Sequence, residues 1–110
     1  MNWKQFTLLI GAYLAFVHCG SAITRYVNAA NPTPSSPYTS WASAATSIQG
    51  AIDVAGAGDL ILITNGIYQT GGRAIFGQMT NRVAITKALV VQSVNGPSLT
   101  TIRGAQSPVP

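Results

Sequence analysis

The chain has 110 residues, of which 47% are hydrophobic and 7% charged. That length allows one domain and excludes a second catalytic module, and disordered chains combine low hydrophobicity with high net charge, the opposite of this composition. The formal charge of +4 comes from basic residues scattered along the chain, whereas phosphate recognition shows a dense basic stripe, so no nucleic-acid partner is expected.

Residues 1–22 read as a signal peptide. Lys4 supplies the positive start, Phe6 to Val17 the apolar middle, and Gly20-Ser21-Ala22 the small residues that place cleavage after Ala22. Twelve apolar-type positions fall short of the roughly 20 that a helix needs to cross a bilayer, so no stable membrane span is expected after cleavage. A permanent anchor, or a lipoprotein signal acylated at Cys19, is the alternative; the bulky Phe16-Val17-His18 ahead of that cysteine argues against the lipoprotein form.

Cleavage leaves 88 residues, numbered 23–110, and removes both His18 and Cys19, the one histidine and one cysteine of the chain. A disulfide framework, a Cys/His zinc site and a His-dependent nucleophile then all lack their side chains. The carboxylates that remain are Asp53 and Asp59, and the basic residues are Arg25, Arg73, Arg82, Lys87 and Arg103. No cofactor or metal site is expected. The mild positive field would favour an acidic polysaccharide; a few solvated cations explain the same residues.

Ile23 to Asn28 reads as a short β-branched and aromatic strand. Asn31-Pro32-Thr33-Pro34-Ser35-Ser36-Pro37 follows as a surface loop, since three prolines propagate neither helix nor sheet. Beyond it, Tyr38 and Trp41 either cover the core where the loop rejoins it or stack on a sugar.

Between Ala42 and Ala55 the period changes. Ile48, Ala51, Ile52 and Ala55 recur at the spacing of one helix face, with Gln49 and Asp53 assigned to the opposite side. Ser43 or Thr46 is the expected N-cap, and Gly56 or Gly58 the left-handed stop. Gly50, costly inside a helix, predicts a close approach there.

From Leu60 onward the signal is strand. Leu60-Ile61-Leu62-Ile63-Thr64 is a continuous apolar run, expected to be covered on both faces. Ile67-Tyr68-Gln69, Arg82-Val83-Ala84-Ile85, Leu89-Val90-Val91-Gln92 and Thr100-Thr101-Ile102-Arg103 are the further expected strands, with Gly71-Gly72 as a turn. The pairs Asn65-Gly66 and Asn95-Gly96 stand 30 positions apart, each after an apolar run. That period points to stacked coils, with an ordinary β-sandwich as the alternative.

The order of these parts resembles the N-terminal region of right-handed parallel β-helix proteins of the pectin-lyase-like kind, common among secreted and surface-attached bacterial proteins. The resemblance is carried by Arg25-Tyr26-Val27-Asn28, Ser40-Trp41-Ala42, Ser47 to Asp53, Ala57 to Ile63, Asn65 to Tyr68, Val83 to Ser93, and Gly96 to Gly104. It implies an all-β fold in which an N-terminal cap helix, Thr46 to Ala55, covers the open end of the first coils. The catalytic residues and calcium sites of enzymes with this fold lie on middle coils beyond the matched region, so no residue here inherits such a role.

The expected role is therefore that of an exported segment, secreted or at the cell surface, structural or binding a polysaccharide or other surface polymer and without activity of its own. The alternative is the N-terminal fragment of a polysaccharide lyase or glycoside hydrolase whose catalytic coils lie beyond residue 110; Ala105 to Pro110 supplies no terminal cap. Asp53 is expected to be a solvated helical carboxylate and Asp59 to hold a turn by accepting backbone hydrogen bonds. Unpaired strands around Leu89 to Gln92 and Thr100 to Arg103 predict self-association through an open coil end.

Overall fold

The computed structural model describes residues 22–104. The leader reading over 1–21 and the reading of 105–110 lie outside the described residues.

The regular elements among the described residues are mostly strands, with one helix. The strands are β1 (Thr24–Val27), β2 (Leu60–Ile63), β3 (Gly66–Tyr68), β4 (Arg73–Phe76), β5 (Met79–Asn81), β6 (Val90–Ser93) and β7 (Thr100–Ile102), and helix α1 (Ile48–Val54) lies between β1 and β2. β1, β2 and β6 form a parallel sheet in that order, and β3 and β7 pair in parallel in a second sheet. Neither sheet is closed.

Register explains why these residues form a stack. Arg25 lies beside Ile61 and Ile61 beside Val91; Val27 lies beside Ile63 and Ile63 beside Ser93. Side chains alternate across a strand, so these rows share one face. Arg25, Val27, Ile61 and Ile63 are buried on it, whereas Leu60 and Leu62 are half-buried on the other. The apolar run of β2 is thus fully covered on one face, not on both. The 30-residue repeat is the β2–β6 register itself, and the amide of Asn95 donates to Asn65 Oδ1 at 2.8 Å across it.

Helix α1 packs its apolar face into the same core. Ile48, Ala51, Ile52 and Ala55 are all buried, together with Val27, Ala45, Ile61, Ile63 and Tyr68. At seven residues the helix is too short to hold itself in water; its ends are fixed from outside. Its N-cap is Ser47, one residue after Thr46, with Oγ accepting from Gly50 N at 3.1 Å. The expected left-handed glycine stop is replaced by Ala55 in extended conformation. Lys87 takes over the carbonyls left at the end, its Nζ donating to Ala55 O at 2.6 Å and Ile52 O at 3.0 Å. The close approach expected at Gly50 is present: a Cβ there would stand 3.0 Å from Ser47 Oγ. Gly71, at φ 76°, approaches the same serine from the other side, and a Cβ on it would meet Ser47 Cβ at 2.8 Å.

The connecting region departs from the expectation at one stretch and holds one pair of strands that no expectation covers. Arg82 to Ile85 is not a strand; it bends at Arg82 and Val83, and the backbone of Ala84 pairs with a side chain, Gln49, instead of a neighbouring strand. The stretch after Gly71-Gly72 forms an antiparallel hairpin, β4 with β5, whose strands carry no alternating apolar face to mark them in the sequence.

Candidate functional site

The exposed edge of β1 is closed by its own chain. Tyr26 N donates to Tyr38 O at 2.8 Å, Ala45 N to Tyr26 O at 2.9 Å, and Asn28 N to Ala45 O at 2.7 Å. The proline-rich segment lies outside this seam and is exposed, as its composition requires. Tyr38 packs against the core, which fits the covering role. Trp41 meets Tyr26 edge to face, ring centroids 4.6 Å apart, and keeps 42% of its surface exposed. It therefore covers a partner ring and still leaves part of its surface to solvent.

Asp59 sits at the turn into β2 and is 3% exposed. Its Oδ1 accepts from Ile23 N at 3.0 Å, and its Oδ2 from Gly56 N at 2.9 Å and Arg25 Nε at 3.1 Å. The backbone donors Ile23 and Gly56, then the Arg25 guanidinium, hold its carboxyl below the usual carboxylate range against the opposing effect of burial. The expected turn-holding role is present, but Arg25 is not one of several solvated cations. It is 7% exposed, and its Nη1 donates to Pro37 O at 2.9 Å, tying β1, the loop and the turn together. Period two in β1 carried the signal, since Arg25 and Val27 share a face.

Asp53 is on the exposed side of α1, as expected. Its Oδ1 accepts from Gln49 Nε2 at 2.8 Å and from Arg73 at 2.7 Å and 3.2 Å. Partial burial raises its pKa, but the Gln49 and Arg73 hydrogen bonds and the Arg73 and Lys87 charges outweigh it and hold the carboxyl below the ordinary value. Gln49 itself corrects the sequence reading: it is 2% exposed, not on the solvent side of the helix.

Asp53 and Asp59 are thus committed to separate donor sets, and both are held ionised. A general acid needs a proton near neutral pH, and the donors around both carboxylates favour the ionised form. Among the described residues, no three His, Cys, Asp or Glu side chains gather in a way that could hold a metal, and no helix is long and apolar enough to cross a membrane.

Comparison of the chain with protein-family models, with curated proteins and with solved structures gives no match.

Proposed function

We propose that the chain is an exported structural segment: the N-terminal cap and first coils of a right-handed parallel β-helix of the pectin-lyase-like kind, with no reaction of its own. The observation that carries this reading is the in-register parallel stack β1-β2-β6, with β3 after β2 and β7 after β6 forming a second parallel pair. Parallel strands joined by crossovers are right-handed in nearly all proteins. The loop seam on β1 and the plug of α1 serve to start such a stack, because an uncovered first strand would present unpaired backbone groups and apolar side chains to water. β6 and β7 have no strand on their far side among the described residues, and Val90 and Ile102 there are more than half exposed. That edge suits the addition of another strand, from further coils or from a second copy.

Contact with a polysaccharide or other surface polymer is favoured by one observation, the partial exposure of Trp41 braced on Tyr26. An aromatic ring held in place by a second ring is a suitable platform for a sugar.

The test is incubation of the exported protein with polygalacturonate and related polymers, with and without calcium, following both product release and retention on the polymer. The reading predicts no turnover, and any retention weakened in Trp41→Ala. Turnover abolished by Asp53→Asn or Asp59→Asn would replace it with an enzyme.

A further inference from the structure

Among the described residues, Ile23 is the first whose backbone is hydrogen-bonded into the fold. Its N donates to Asp59 Oδ1 at 3.0 Å, and its carbonyl accepts from Leu60 N at 3.0 Å. Ala22 before it is exposed. The same bond, Ala22–Ile23, is the one that the small residues Gly20-Ser21-Ala22 mark for cleavage.

We infer that cleavage after Ala22 creates an N-terminal ammonium on Ile23 that docks on Asp59 as an ion pair, so that processing of the leader locks the start of the fold. The inference rests on the export reading above. In the cleavage step a peptidase adds water across the Ala22–Ile23 bond: Ala22 leaves with the new carboxylate, and the Ile23 nitrogen retains the bonding pair and takes up protons to become an ammonium. Before cleavage that nitrogen is a neutral amide donor; afterwards it carries a positive charge at the same place.

The surroundings suit the charge. Asp59 Oδ1 is free of other partners among the described residues, since Gly56 and Arg25 both use Oδ2. Ile23 is 44% exposed and Ala22 before it is exposed, which places the new terminus at the protein surface. The charged groups around this corner are Asp59 on the turn and Arg25 on β1. Lys87, on the segment behind the turn, is engaged with the carbonyls of α1, and Asp53 on α1 with Arg73. β6 contributes no charged side chain. One carboxylate then holds two cations, Arg25 through Oδ2 and the new terminus through Oδ1. The pairing keeps the amine protonated in the fold. Its stabilisation is accordingly present below the ordinary α-amine range of about 7.7–8.0 and lost as pH rises through the folded-state value.

The test uses the protein exported from cells that express the full 110-residue chain. Intact mass identifies its first residue, and acylation of the α-amine by an amine-reactive anhydride is followed across pH by peptide mass spectrometry. The expected result is a chain starting at Ile23 whose amine at pH 8 labels at least about fivefold more slowly than in the urea-unfolded protein. Asp59→Asn should remove that protection and Asp53→Asn should keep it; if Asp59→Asn fails to fold, the folded-against-urea comparison on the unaltered protein decides alone. A chain starting at Ile23 whose amine labels as freely as in urea overturns the docking and leaves the cleavage reading standing. A chain starting at any other residue overturns both.

Discussion

Gln49 and Ala84 meet as two paired strands do: the Gln49 Oε1 accepts from Ala84 N at 2.7 Å, and its Nε2 donates toward Ala84 O at 3.2 Å. A side-chain amide on α1 thereby satisfies both backbone groups of a buried residue 35 positions away. This contact ties the plug helix to the segment that leads into β6.

Loss of either partner leaves the other buried and unpaired, which costs about 1–3 kcal/mol for each polar group. Gln49→Ala should therefore destabilise the protein by about 2 kcal/mol or more. Gln49→Asp should be as harmful as Ile52→Asp, which places a carboxylate in an apolar contact. Urea denaturation of the three variants measures this; a Gln49→Asp protein within about 0.5 kcal/mol of the unaltered one, the ordinary range for surface sites, contradicts it.

Lys87 supplies the C-terminal cap that α1 lacks in its own sequence. Hydrogen bonds to a charged group contribute about 1.5–3 kcal/mol, so Lys87→Met should lose about 2 kcal/mol while keeping the aliphatic packing. Amide exchange near the end of α1, at Ile52 to Ala55, should quicken more than in β3. Unchanged stability and exchange would mean that water caps these carbonyls equally well.

Asp59 has a depressed folded-state pKa, so the stability that it adds is present above the unfolded carboxylate value, about 3.9, and is lost as pH falls through the lower folded value. The unaltered protein should lose stability on acidification below about pH 4. Asp59→Asn should be less stable at pH 6 and show a flatter dependence in that window. Parallel pH profiles for the two proteins would remove Asp59 from the account.

Much of this architecture was legible because it rests on local periodicity. The apolar runs from Leu60 and Leu89, the two Asn-Gly pairs and the stripe Ile48, Ala51, Ile52, Ala55 each carry their pattern within a few residues. What escaped depends on pairings that are distant in sequence. Gln49 is buried because Ala84 needs a partner, and a seven-residue helix between a sheet and a loop buries a wider arc than its apolar stripe suggests. Arg25 is buried because Asp59 lies 34 positions away, although its alternation with Val27 placed it on the inner face. The β4–β5 hairpin is exposed along most of its length, so no apolar alternation announces it.

The central claim, a parallel stack closed at β1 and, among the described residues, open at β6, has a direct test in amide hydrogen exchange of a dilute monomeric sample. Val90 N and Val94 N point back to Asp59 O and Ile63 O at 3.1 Å and 2.8 Å, so by alternation Gln92 N faces β2 while Val91 N and Ser93 N face outward. Leu60 N and Thr64 N donate to Ile23 O and Val27 O, which leaves Ile61 N and Ile63 N directed at β6. The account predicts protection throughout Leu60 to Thr64 and at Gln92, with rapid exchange at Val91 and Ser93 in the same strand. Equal protection of Val91, Gln92 and Ser93 in the monomer, or rapid exchange along β2, would contradict it.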